Sequence, residues 1–252
     1  MNGKLIPVHR TGFRIGLITC LAGSLLSATA GAGFAFMYDR HNSPSATELY
    51  AETHRGHLQR LDANANPGRV VFLGSSTFQG LDTAAISPVA LNLGMGGDTL
   101  SRITARARDY GSISQAGAVI MNIGLNDIMN TCRAISGEVL QALFELIPES
   151  MPLMILGIQG VSPRRHGARC GGGGVTGLIA ETNMALANRC AQAPNCRFVA
   201  NPIPADIDAI ASQTLHEPDG IHLSPSAYTE LKHRLRDALA AAAPNLAQPA
   251  QS

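Results

Sequence analysis

Short runs rich in β-branched and aliphatic residues recur at 70–73, 89–93, 118–123, 153–158 and 197–200, and stretches of helical period occupy 99–110, 136–146, 176–192 and 225–242. Strands that alternate with helices in this way pair in parallel. A crossover helix returns the chain to the same end of the sheet, and the helices then cover both faces. The pattern predicts an α/β domain with a buried parallel sheet. A further helix is expected at 43–63, with Leu49, Leu58 and Leu61 as its apolar face and Ser45 or Thr47 as its cap. Asn64-Ala65-Asn66-Pro67-Gly68 ends it.

At 252 residues the chain suits one sizeable domain plus an extension. The extension is the amino-terminal part. Residues 15–38 carry no charged side chain, a length able to cross a hydrocarbon core of about 30 Å. Lys4, Arg10 and Arg14 precede it, which orients residues 1–14 to the cytoplasm and sends the remainder outward. A cleaved signal peptide, with Ala28-Thr29-Ala30 at its cleavage site, is the competing reading. Because the apolar run continues through Gly33-Phe34-Ala35-Phe36-Met37, a retained anchor is favoured. Either reading places the bulk of the protein in the periplasm or beyond. The expected organisation is therefore a cytoplasmic start at 1–14, the membrane or signal segment at 15–38, and a linker and helix at 39–68. The domain itself takes 69–243, and a disordered tail takes 244–252.

Four of the 19 basic side chains lie in residues 1–40 but only one of the 18 acidic ones, so the rest of the chain is close to neutral. No basic patch suggests nucleic acid. Tryptophan is absent, which gives little support to an aromatic groove for long glycans. Beyond the anchor lie Cys132, Cys170, Cys190 and Cys196, with no C-x-x-C pair to suggest zinc. In an oxidising compartment an even number points to disulfides, Cys190–Cys196 closing a small loop and Cys132–Cys170 joining two loops. Four reduced thiols are the alternative.

The run Val70-Val71-Phe72-Leu73 stops at Gly74 and is followed by Ser75 and Ser76. A serine just past the carboxyl end of a central strand sits where open α/β sheets build their sites, so Ser76 is the candidate nucleophile. A serine hydroxyl needs a base, and Glu217-Pro218-Asp219-Gly220-Ile221-His222 supplies one in a loop. Asp219 can hold one imidazole nitrogen of His222 while the other faces Ser76, which is the orienting role of a triad acid. A helix-capping role for His222 is the plainer alternative. His216 with His222 lacks a third histidine and helical spacing, so no metal is expected. Acyl transfer also needs donors for an oxyanion. Asn92-Leu93-Gly94-Met95-Gly96-Gly97-Asp98-Thr99 follows a strand and opens a helix, so the Gly97 N–H is one candidate, with Asp98 as a possible N-cap. Gly124-Leu125-Asn126-Asp127 follows the next strand and offers the Asn126 amide.

Taken in order, these segments resemble the sequence blocks of the SGNH hydrolases, the GDSL-type esterases and lipases. Gly74-Ser75-Ser76-Thr77 is similar to the first block, Asn92 to Asp98 to the second, Gly124 to Asp127 to the third and Asp219 to His222 to the fifth. The resemblance covers about 69–242. It implies a flavodoxin-like three-layer α/β/α sandwich with about five parallel strands. It also implies a triad of Ser76, Asp219 and His222, an oxyanion hole formed by the Ser76 and Gly97 N–H groups and the Asn126 side chain, and no cofactor. The implied substrate is a small-molecule or glycan ester, cleaved through an acyl-serine. Ser75 departs from the pattern, since the family's aspartate normally stands there. An acyltransferase or deacetylase of envelope polysaccharide shares the same blocks, and a non-catalytic binding module shares the same fold. An α/β-hydrolase elbow is disfavoured, because Phe78 stands where its second glycine belongs. A phosphate loop at 74–80 lacks the necessary lysine. Arg164, Arg165, His166 and Arg169 lie in a glycine-rich stretch, 161–175, read either as a mobile loop that attracts anionic substrates or as a solvated one.

Overall fold

The computed structural model describes residues 45–171 and 174–247. The expected cytoplasmic start at 1–14 and membrane segment at 15–38 lie outside them. Among the described residues no helix is long and apolar enough to cross a membrane. The chain divides into two compact units between Thr53 and His54. In the first, Ser45 and Glu48 form a reciprocal capping box at the start of helix α1 (Ala46–Ala63): the Glu48 carboxylate accepts from Ser45 N at 2.8 Å, and Ser45 Oγ accepts from Glu48 N at 3.2 Å.

The second unit holds the sheet. Its strands are β1 (Val70–Gly74), β2 (Ala90–Asn92), β3 (Ala118–Asn122), β4 (Leu153–Leu156) and β5 (Cys196–Val199), all parallel, in the order β2-β1-β3-β4-β5. β1 is thus flanked by β2 on one side and β3 on the other, with Gly74 in register with Asn122. The chain leaves β1 toward one edge and later returns to β1's other side. That reversal opens a crevice at the carboxyl ends of β1 and β3, where open α/β sheets bind ligands.

Helices connect the strands: α2 (Ser76–Gln79), α3 (Leu100–Asp109), α4 (Gly111–Ser114), α5 (Leu125–Thr131), α6 (Gly137–Phe144), α7 (Pro163–His166), α8 (Gly174–Ala191), α9 (Ala211–Leu215) and α10 (Pro225–Ala242). Alternation along the strands sorts the core. Val70, Phe72, Ala118, Ile120, Met154, Leu156 and Val199 face α10, which buries Ala227, Leu231, Leu235 and Leu239 at the i, i+4 spacing of one helical stripe. On the other face Val71, Leu73, Val119 and Met121 are fully buried, and α3 and α8 pack against β1 and β5. The expected sheet and long helices are therefore present, to within a few residues at their ends.

Two expectations need correction. Of the apolar face read for α1, only Leu58 is buried; Leu49 and Leu61 are exposed. The tail is not irregular from Pro244: Pro244–Leu246 forms a 3₁₀ turn, and Leu246 packs on the core. In the stretch 161–175, Arg164, Arg165 and Arg169 are exposed. Both expected disulfides, Cys132–Cys170 and Cys190–Cys196, are formed.

Candidate active site

Ser76 is the first residue of α2, directly beyond β1, and is half-buried. The turn forms without the carboxylate that the family pattern places before it. Ser75 is extended and buried, its side chain makes no cap bond, and its carbonyl accepts from the N–H groups of Phe78 and Gln79 at 3.2 and 3.1 Å. As the first N–H of a helix, that of Ser76 has no intrahelical acceptor. The turn is braced from outside instead. Asn92 at the end of β2 donates to the carbonyls of Phe78 and Leu81 at 2.7 and 3.2 Å, and Tyr228 Oη on α10 donates to Thr77 O at 3.0 Å. Burial, then the nearby Glu217 charge, pushes the Tyr228 phenol up to about 12, so it remains a neutral donor at ordinary pH.

The loop after β2 lies directly on α2. A Cβ at Gly94 would fall 2.5 Å from Gln79 N, so only glycine permits that approach. Gly96 N donates to Gln79 Oε1, and a Cβ at Gly96 would stand 3.7 Å from Ser76 Cβ. Gly97 follows with φ +78°, a left-handed conformation suited to glycine. Gly97 is exposed, and its N–H has no hydrogen-bond partner among the described residues. Asn126, in the first turn of α5, donates one amide hydrogen to Asp98 O at 2.8 Å, which leaves the second hydrogen free. The turn that holds Gly97 thus lies beside Ser76 on one side and is bonded to Asn126 through Asp98 on the other.

Two carboxylates there have roles that the sequence reading missed. Asp98 does not cap α3. Its side chain is buried and paired with Arg106, with Oδ2 2.7 Å from Nε and 2.6 Å from Nη2. Arg106 Nη1 also donates to Leu93 O and to Tyr110 Oη. The cap comes from Asp127, whose Oδ2 accepts from Leu100 N at 2.9 Å. Burial raises the Asp127 carboxyl above its usual value, although that backbone bond opposes the shift. The loop carrying Gly97 is therefore clamped by Arg106 on one flank and by Asn126 and Asp127 on the other. The Asp98–Arg106 pair, two helical turns apart in sequence, was the available signal.

Asp219 and His222 meet. Asp219 Oδ2 accepts from His222 Nδ1 at 2.5 Å, while Oδ1 accepts from the N–H groups of Ile221 and His222 at 2.9 and 3.0 Å. Burial acts to raise the Asp219 carboxyl, but these three hydrogen bonds and the imidazole outweigh it and hold it down at about 2. With Nδ1 donating to Asp219, Nε2 is left as the basic nitrogen. The imidazole is 44% exposed and open to an incoming ligand. Capping of α10 falls to Ser224, which accepts from Ala227 N, so His222 is not a helix cap. His216 is structural: Nε2 donates to Gly160 O at 2.9 Å and Ser212 Oγ lies 3.0 Å from Nδ1. The neighbouring Gln159 donates to Thr77 Oγ1 at 3.1 Å, so one β4 loop supports both the serine turn and the histidine loop. Phe78 and Leu223 also share one core. No hydrogen bond joins Ser76 Oγ to His222. Catalytic contacts of this kind often tighten only when substrate is bound. Among the described residues no group of His, Cys, Asp and Glu side chains is arranged to hold a metal ion.

No protein-family model matches the chain, and no curated protein matches its sequence. Solved structures do match. A Streptococcus pneumonia protein provisionally described as a platelet activating factor aligns over 75% of this chain and 92% of its own, at 19% identity and a TM-score of 0.61. A GDSL-like lipase from Bacteroides thetaiotaomicron aligns over 75% and 98%, at 18% identity and a TM-score of 0.56. A catalytic mutant of an acetylxylan esterase from Geobacillus stearothermophilus aligns over 69% and 96%, at 14% identity and a TM-score of 0.52. At such identities the likeness establishes a shared fold.

Proposed function

We propose that this chain is an exported serine ester hydrolase of the SGNH type, cleaving carboxylic esters through an acyl-serine. The observation that carries the reading is the Asp219–His222 pair, beside α10 in the loop supported by β4, in a fold whose crevice presents Ser76, Gly97 and Asn126. His222 Nε2 takes the proton of Ser76 as Oγ attacks the ester carbonyl. The oxyanion receives the N–H groups of Ser76 and Gly97 and the free amide hydrogen of Asn126. His222 then protonates the departing alkoxide and activates the water that releases the acid. The similarly folded proteins described as a GDSL-like lipase and an acetylxylan esterase favour esters as the substrate class, with acetylated sugars among them. The charge-free segment 15–38 and two disulfides support export, with membrane attachment if that segment is retained.

The test is hydrolysis of nitrophenyl acetate and longer nitrophenyl esters, beside acetylated sugars, with a fluorophosphonate probe as a second readout. Wild type should turn over and be labelled, and Ser76→Ala should do neither. Asn126→Ala should keep KM and lose about 10²–10³ in kcat, the usual effect of removing one oxyanion donor. Labelling that persists in Ser76→Ala would overturn the assignment. Acetyl release that rises with added acceptor alcohol would point to transfer rather than hydrolysis.

A further inference from the structure

Residues 162–171 run from the histidine loop to the helix that carries Asn126, and they are fastened at both ends. At one end, Ser162 N donates to Gly220 O at 2.8 Å and His166 Nε2 donates to Asp219 O at 2.9 Å. Both carbonyls that follow Pro218 in the loop are therefore held by this segment. Gly220 is packed so closely that a Cβ there would lie 2.5 Å from Ser162 Cβ and 3.1 Å from Arg165 Cδ. At the other end, Arg169 donates through Nε and Nη2 to Met129 O at 3.1 and 2.7 Å. Cys170 is bonded to Cys132, which ends α5. Asn126 stands in the first turn of that helix and Cys132 just past its last. The segment thus spans the two halves of the candidate site, with one covalent anchor.

We propose that 162–171 is a strap that holds the triad acid in register, with His166 as a positioning residue for Asp219 and the Cys132–Cys170 bond as its anchor. This rests on the ester hydrolase reading above. The Asp219 carboxylate is aimed by its own loop, through the N–H groups of Ile221 and His222, while the bond from Ser162 N holds the next residue, Gly220, and leaves the carbonyl of Asp219 itself to a side chain. That side chain is His166. The contact of His166 is to a backbone carbonyl and not to the carboxylate or the imidazole of the pair, so its effect is on the position of the main chain. Small displacements of reacting groups cost rate more than binding.

His166→Ala should lower kcat roughly tenfold or more while KM stays within about twofold. His166→Gln places an amide donor near the position of Nε2 and should restore most of the loss. Removing the anchor by C132S/C170S should produce a similar fall, and adding His166→Ala to it should lower kcat little further, because both act through one contact. C190S/C196S, which removes the bond away from the strap, should leave kcat unchanged. Amide hydrogen exchange at Ile221 and His222 should accelerate in His166→Ala and in C132S/C170S. Wild-type kcat or unchanged exchange in His166→Ala, or losses that multiply in the combined variant, would overturn the strap. Failure of wild type to hydrolyse esters or take the fluorophosphonate would instead overturn the ester hydrolase reading, and the exchange measurement would still decide the strap.

Discussion

At the scale of single residues, Asp219 carries the clearest electrostatic signature. Its folded pKa, near 2, lies below the 3.8 of the unperturbed group, so the folded protein holds this proton less tightly than the unfolded chain. The contribution of this carboxylate to stability is therefore complete above about pH 3.8 and disappears as pH falls toward 2. Asp219→Asn should be less stable than wild type at pH 5, and the difference should shrink by pH 2.5. The gap should be small, because the side chain is half-exposed and water screens it. Urea midpoints of both proteins at the two pH values measure it, and a gap that widens at low pH would contradict the assignment. Ser76, Asp219, His222 and Asn126 could be picked out as candidates from the sequence because each follows a strand or sits in a short loop at a spacing the proposed chemistry requires. The partners of these residues were not. His166 meets Asp219 across 53 positions and Gln159 meets Thr77 across 82, and no local pattern announces such contacts.

At the scale of elements, the strands were legible because a buried parallel strand is a short unbroken apolar run, and α10 because its apolar stripe repeats every four residues. Helices of four or five residues, such as α2, α7 and α9, complete too little of a turn pattern to be read that way. α3 shows how an element serves the site. Its first turn is capped by Asp127, and its Arg106 reaches back to Asp98 beside Gly97. Asp98 and Arg106 are both buried, so removing only the cation strands a carboxylate away from water. Arg106→Leu should destabilise the protein by about 3–5 kcal/mol, and R106L/D98L should recover much of that loss. Chemical denaturation of the two variants decides the point. Equal stability of Arg106→Leu and wild type would mean that the pair does not hold the loop.

At the scale of the molecule, the sheet order β2-β1-β3-β4-β5 sends every candidate catalytic group to the carboxyl ends of the strands. Residues 244–247 belong to the opposite end, and 248–252 lie outside the described residues. Ser87, which precedes β2, donates through its hydroxyl to Leu246 O at 2.6 Å. A Cβ at Gly117, which precedes β3, would lie 2.8 Å from Leu246 Cδ1. Leu246 and Ala247 rest on the same core that α10 covers. A disordered tail was expected from Pro244 on, because one leucine among small and polar residues gives no periodic signal; only the folded sheet supplies the surface that Leu246 fills. Ending the chain after Ala243 should therefore cost about 1–2 kcal/mol, the worth of partly burying one leucine and its neighbour. Because the tail and the site lie at opposite ends of the strands, kcat at a temperature where the shorter protein remains folded should equal that of the full chain. A truncation after Ala243 that abolished turnover without lowering the denaturation midpoint would show that the two ends of the sheet are coupled.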